Sequence, residues 1–268
     1  MNTRAIAPIV GLCLALVFSQ PALAGNMIGE TVGDAYDIES GELLYRETHC
    51  TSADGIAREV SYQDADGKLI ASKLLDYRPG PFTPAFVQRN LYSNQSIEVG
   101  LDGNSVSMAV IDGNDSAASQ RTLEQPDADL PVVIDAGFDV FVRAHWDELL
   151  SGESREFQFP FASRQSLVEL RIQPLTCTYD SNGEQCFRLD LSNWLLRTLV
   201  KPIELGYDAE LRRLTRYRGL SNIGDADGNG LEVDIHYRYD NLPPQACHGP
   251  ASTQIGTLPP EAPDKVQS

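Results

Sequence analysis

Pro202–Asp240 reads PIELGYDAELRRLTRYRGLSNIGDADGNGLEVDIHYRYD. Two groups of turn formers, around Asp208-Ala209-Glu210 and at Asp225–Gly230, divide it into three runs rich in aromatic and β-branched residues. This predicts three consecutive strands, and tight turns make consecutive strands antiparallel neighbours. The same chemistry recurs upstream. Asp64-Ala65-Asp66-Gly67 separates Ala57–Gln63 from Lys68–Tyr77, and Asp102-Gly103-Asn104 separates Ser96–Leu101 from Ser105–Ile111. Glycine supplies the positive φ of such turns and Asp or Asn tolerates it. Strands are also expected at Glu42–Cys50, Leu167–Tyr179 and Glu184–Leu191, and where Phe157, Phe159 and Phe161 alternate with other residues; Ala85–Tyr92 is a strand or a short irregular piece. In Gly137–Leu150 the apolar residues Phe138, Val142, Trp146 and Leu149 recur at helical spacing. Ser192–Val200 reads as a second, short helix with Ser192 as its N-cap, or, from its β-branched end, as a further strand. Strands and helices do not alternate as a parallel sheet requires. The expected fold is therefore mainly β with one or two helices: a curved antiparallel sheet or half-barrel wrapped around a helix, or two packed sheets.

The chain begins like an exported protein. Arg4 precedes an apolar run from Ala5 to Phe18, and Pro21-Ala22-Leu23-Ala24 ends in a small-x-small pattern. This is a signal peptide, residues 1–24, with cleavage expected after Ala24 and the periplasm as destination. The run is shorter than the roughly 20 apolar residues of a membrane-spanning helix. No other run reaches that length, so no membrane span is expected. Residues 25–35 read as a flexible N-terminus, 36–248 as a single β-rich domain with a hinge at 113–131, and 249–268 as a disordered tail containing Pro259, Pro260 and Pro263. The formal net charge of −17, from 21 basic and 38 acidic residues, disfavours nucleic acid and anionic membrane surfaces as partners.

Four cysteines follow the leader: Cys50, Cys177, Cys186 and Cys247. An even number in an exported chain points to disulfides. Cys177 and Cys186 flank the turn Asp180-Ser181-Asn182-Gly183, which would bring them face to face across a hairpin. Cys50–Cys247 then follows by exclusion. A zinc cluster of Cys50, Cys247, His49 and His248 is the weaker alternative.

Three patterns in the chain could carry chemistry. Asp225, Asp227 and Asn229, followed by Gly230, match the first half of a calcium loop, with Glu232 or Asp234 as a substitute ligand. His236 stands where the bidentate glutamate belongs, so an acidic β-turn is the competing reading. No other cofactor is implied. Arg212, Arg216 and Arg218 share strand parity and form a basic face suited to a carboxylate or phosphate. The competing reading pairs them with Glu204, Asp234 or Asp240 on neighbouring strands. Gly219-Leu220-Ser221-Asn222-Ile223-Gly224 is one residue too long for a nucleophile elbow and leads into a turn instead of a helix. His145 beside Trp146 reads as a half-buried structural side chain. The chain is expected not to be an enzyme.

The pattern Y-D-x-x-x-R-R-L-x-x-Y-x-G-x-S-N-I at Tyr207–Ile223, followed by a turn and the strand Val233–Tyr239, resembles uncharacterised exported proteins of Gram-negative bacteria. It is similar as well to the lipoprotein carriers, with their curved half-barrel. That likeness supplies no catalytic residues. It implies an envelope role and a concave sheet face that accepts a lipid or other apolar ligand. Phe138, Trp146, Phe157 and Phe159 would line that face, with Arg212 and Arg216 beside it. The expected function is a non-enzymatic periplasmic binding or carrier module for an apolar or amphipathic ligand. A structural or assembly protein of the envelope, stiffened by calcium, is the alternative.

Overall fold

The computed structural model describes residues 27–111, 113, 118–125, 129–181, 183–193, 201–225, 229–239 and 247. The leader, the tail 249–268, residues 194–200 of the second expected helix, and Asp227 lie outside them, as does part of the expected hinge.

Fourteen strands form one antiparallel sheet. They are β1 (Met27–Asp37), β2 (Leu43–Ser52), β3 (Ala57–Asp64), β4 (Leu69–Asp76), β5 (Ala85–Asn90), β6 (Gln95–Asp102) and β7 (Ser105–Ile111). After β8 (Ser119–Glu124) come two short helices, α1 (Gly137–Ala144) and α2 (Trp146–Leu150), then β9 (Arg155–Phe161) and β10 (Ser166–Leu175). The sheet continues with β11 (Gln185–Leu191), β12 (Ile203–Asp208), β13 (Arg213–Gly224) and β14 (Gly230–Arg238). Its spatial order runs β8 to β1, then β14 to β9. Among the described strands the one non-sequential pairing is β1 with β14, which joins the two ends of the domain at mid-sheet.

Laid flat, thirteen strand spacings of about 4.8 Å would hold the sheet edges roughly 60 Å apart. Instead, β6 and β7 touch the 3₁₀ turn Ala162–Arg164 that links β9 to β10. Ser119 of β8 exchanges hydrogen bonds with Gln165: Oγ donates to Oε1 at 2.9 Å, and Nε2 donates to the Ser119 carbonyl at 2.6 Å. The sheet is therefore curled almost into a barrel. Among the described residues no backbone ladder joins β8 to β9. The seam is bridged by Pro131–Ile134, whose backbone bonds to Gln158 on β9, and by the Gln125 and Gln158 amides, which both donate to the Leu130 carbonyl.

The curl encloses its helices. Phe141, Val142, Trp146 and Leu149 point from α1 and α2 onto Phe157, Phe187, Leu205 and Tyr207 of the sheet. Trp146 packs edge-on against Phe187 and Tyr207 at centroid distances of 5.3 and 5.7 Å. Burying a side chain of this size contributes roughly 2–3 kcal/mol, and these contacts make the helices part of the core. The expected single helix is broken at His145, whose backbone leaves the helical region.

Two strands escape the sequence reading. β8 lies inside the expected hinge. β1 occupies the stretch expected to be loose, yet it pairs on both sides. Its glycines mislead. A Cβ on Gly33 would lie 2.8 Å from the Tyr237 ring, 2.9 Å from Glu47 Cγ and 2.9 Å from Ile235 Cγ2. Glycine is there because neighbouring side chains close over the strand, not because the chain is free.

Candidate ligand-binding groove

The expected lining of the concave face is instead core. Trp146 and Phe157 are buried, and Phe138 and Phe159 pack against the same cluster. A ligand could not reach Trp146 or Phe157 without displacing the helices, because neighbouring side chains fill the contact surfaces, and Phe138 and Phe159 keep only partial exposure. The carrier geometry predicted for these four residues is therefore not the one observed.

Deeper in the curl the lining turns polar. Glu47 is buried and meets His49 Nε2 at 3.0 Å. Tyr45, Tyr62, Tyr217 and Tyr237 surround the carboxylate; burial first, and the Glu47 charge second, push all four phenols above their ordinary value. Lys73 Nζ, also buried, donates to Asp135 at 2.5 Å and lies 5.2 Å from the Phe86 ring centroid. Ser221, the serine of the elbow-like motif, meets the Tyr45 hydroxyl at 2.8 Å and sits within β13. It has no strand-to-helix turn to expose it.

The convex face carries a ladder of opposite charges, dictated by register. Arg188, Glu204, Arg218 and Asp234 stand opposite one another on β11, β12, β13 and β14. In the next row, Arg216, His236, Asp34 and Arg46 continue it across β13, β14, β1 and β2. Arg216 grips Asp234 with two hydrogen bonds of 2.7 and 2.6 Å. Arg46 donates to Asp34 at 2.6 Å, and Arg238 binds the second oxygen of the same carboxylate. Cross-strand pairing thus occupies Arg216 and Arg218. Arg212 leaves their face: it sits in the β12–β13 turn at φ 51°, stacks over Trp146 and pairs with Asp147. The common basic face expected for these arginines reduces to two residues.

Burial raises the Asp34 and Asp234 carboxyls, but the arginine hydrogen bonds outweigh it and hold both below the ordinary value of 3.8. Such groups add stability above the unfolded-state pKa and lose it as pH falls through the folded value. The urea midpoint is expected to stay level from pH 7 to about 5 and to fall below about pH 4. In Asp234→Asn this acid limb should flatten; an unchanged limb would show that the ladder does not couple to folding.

Local structure next to the ladder is set by the Cys177–Cys186 disulfide, with Cα atoms 5.2 Å apart. It folds Tyr179 over Gly206, where a Cβ would lie only 2.1 Å from the phenolic oxygen. Arg216 lies 3.8 Å from the centre of the Tyr179 ring, and the hydroxyl donates to Glu184 at 2.9 Å. Thr178 is thereby brought to Glu204, donating from its backbone at 2.8 Å and its hydroxyl at 2.5 Å.

Beyond Thr178 a groove of about 550 Å³ opens on the convex face. Ile38, Leu175, Pro202, Ile203 and Leu220 form its apolar walls, and Arg188, Lys201 and Arg218 bring three cations to it. Arg188 donates to Asp190 at 2.8 Å, and Arg218 to Thr178 at 3.0 Å and Glu204 at 3.4 Å. Lys201 donates to Glu232 at 2.6 Å.

No family model matches the sequence. No curated protein matches it either. Among solved structures, the chain is similar to a β-barrel-like protein of the domain of unknown function DUF1849 from Brucella abortus. The identity is 8%, the match covers 82% of this chain and 99% of that chain, and the TM-score is 0.47. A likeness of that size says nothing about activity.

Of the residues expected to hold calcium, Asp225 accepts instead from the Asn229 backbone at 2.8 Å and the Asn229 side chain at 3.0 Å. Glu232 belongs to the groove, and Asp227 lies outside the described residues. Among those described, no three His, Cys, Asp or Glu side chains converge as a metal site would require. Both expected disulfides form, Cys50–Cys247 with Cα atoms 5.7 Å apart. His145 Nδ1 lies 2.6 Å from Glu148, which also accepts from Arg155 at 2.8 Å. Those two partners, Arg155 first, depress the Glu148 carboxyl to about 2.

The sequence reading missed most of the groove. Ile38, Leu175, Arg188 and Lys201 come from four separate segments with no shared motif, and only the strand register assembles them. Glu232 was noticed as a substitute calcium ligand, and Arg218 as part of a basic face for an anion. Lys73 did carry a signal: a lone lysine in the apolar strand LIASKLLD must find a partner if that strand is buried.

Proposed function

We propose that the protein is a non-enzymatic binding module of the cell envelope that takes an amphipathic ligand with an anionic head in this convex groove. One observation carries the reading: apolar walls and three cations share a single open hollow of about 550 Å³, while the concave face is filled by its own helices. Apolar walls supply the area that drives binding, and the cations orient the head. Export to the periplasm is supported by the leader pattern of residues 1–24 and by two disulfides, which persist in oxidising compartments.

A dansyl-labelled undecanoic acid has about 30 heavy atoms and, at about 0.3 kcal/mol each, would bind with a Kd of a few tenths of a micromolar. Titration of the full chain with a dansyl-labelled undecanoic acid is expected to saturate in that range. Leu220→Asp should weaken it at least about tenfold, because Leu220 is 45% exposed on the groove wall and the new charge repels the ligand's own. Its exposure also lets the variant fold. Absence of saturable binding, or equal binding to Leu220→Asp, would overturn the reading.

A further inference from the structure

The three groove cations are not equally committed. Arg188 faces Asp190, whose side chain is only 3% exposed, and Arg218 is held between Glu204 and Asp234 at 11% and 14%. These carboxylates lie within the sheet surface, and pulling an arginine away would leave a poorly solvated charge with fewer partners. Lys201 differs. Its side chain is 74% exposed, and its direct partner, Glu232, is 36% exposed. Glu39 adds a weaker attraction from further away. An exposed pair of this kind contributes little to stability, so exchanging its partner costs little.

Lys201 stands just before β12, and Glu232 stands on β14, directly opposite Leu220 of β13. The pair therefore crosses the groove above Leu220 and Gly219. The Glu232 backbone is tied to β1 by the hydrogen bond from Ile38 N to its carbonyl at 3.2 Å, so the carboxylate can leave Lys201 without moving the strand.

We infer that Glu232 is an internal competitor for the ligand's anionic head: its carboxylate occupies, on Lys201, the place that a ligand carboxylate or phosphate takes. This inference rests on the groove being the binding site. It makes Lys201 the head-group contact and Glu232 the residue that sets affinity and selects for anionic amphiphiles. The net charge of −17 does not oppose this, because at physiological salt screening acts over about 8 Å and leaves the local groups in control.

The test uses dansyl-undecanoic acid and the corresponding dansyl alcohol with the full chain. Glu232→Gln is expected to bind the acid about two- to fivefold more tightly, the scale of one exposed ion pair, and the alcohol no differently. Lys201→Met should lose acid binding by a similar factor, and Lys201→Met/Glu232→Gln should match Lys201→Met alone, because the competitor matters only while the lysine is present. If the wild type binds the acid and Leu220→Asp does not, but Glu232→Gln leaves affinity unchanged, the inference fails and the groove stands. Equal tightening for acid and alcohol also overturns it. If neither wild type nor Glu232→Gln binds the acid, the groove reading and the inference fall together.

Discussion

Replacing Lys73 by methionine is expected to cost about 3–5 kcal/mol of folding stability, the usual loss when one partner of a buried ion pair is removed. Lys73 is 2% exposed and pairs with Asp135, whose side chain is 17% exposed. Methionine keeps the apolar stem against Phe86, so the loss isolates the charge. Asp135 would then sit beside Tyr62, Tyr77 and Tyr217, whose phenols already feel its charge. The double variant Lys73→Met/Asp135→Asn should recover much of the loss, since removing both charges can be nearly neutral. Asparagine tolerates the left-handed backbone that Asp135 adopts at φ 43°. Urea unfolding of the wild type, both single variants and the double variant gives the coupling energy directly. A Lys73→Met cost below about 1 kcal/mol would mean that the pair is solvated and does not anchor α1 to β4. The same cycle reads on the proposed function, because Asp135 begins the helical segment that fills the concave face, which leaves the convex groove as the proposed binding surface.

Loss of the Cys50–Cys247 bridge is the second large effect. The two residues are 197 apart in sequence. In the chain-entropy model, closing a loop of that size contributes about 5 kcal/mol, whereas the Cys177–Cys186 loop, with a separation of 9, contributes about 3 kcal/mol. Cys50→Ser/Cys247→Ser is therefore expected to lower the melting temperature more than Cys177→Ser/Cys186→Ser. The consequences for the groove run the other way. The short bridge places Thr178 and Tyr179 over β12 and β13, so its removal should weaken dansyl-undecanoic acid binding, while the long bridge sits on β2 away from the groove lining. Calorimetry and ligand titration on the two double variants separate the effects. Equal binding by both would show that the short hairpin does not shape the site.

The arrangement as a whole divides labour between the two faces of one sheet. On the concave side, aromatic contacts and the Lys73–Asp135 pair hold the helices in place. On the convex side, cross-strand ion pairs cover the polar surface and leave a groove where apolar side chains emerge among them. In a chain of high negative charge, most arginines of the ladder are spent on the protein's own carboxylates, which is the reading of Arg216 and Arg218 that cross-strand geometry favours. Lys201 is the more loosely held cation of the groove.

Local chemistry was enough to predict much of this molecule. The turn formers at Asp64–Gly67, Asp102–Asn104 and Asp225–Gly230 need only adjacent residues, so they fix hairpins and, through them, an antiparallel sheet. Turn formers between its runs identified the three strands of Pro202–Asp240, and loop position identified Cys177 with Cys186. Helical spacing placed a helix at Gly137–Leu150, although the break at His145 left no trace in the pattern. Tertiary structure decided what depends on residues far apart in the chain. That β1 is a central strand follows from Tyr237, Glu47 and Ile235 closing over Gly33, and none of these is its sequence neighbour. That Trp146 and Phe157 are core and not ligand lining follows from how tightly the sheet curls, which single strands do not encode. The groove, likewise, exists because register sets Leu220 of β13 beside Glu232 of β14, with Lys201 just before β12. Periodicity reports which face of an element is apolar; only packing decides whether that face meets the protein itself or a ligand.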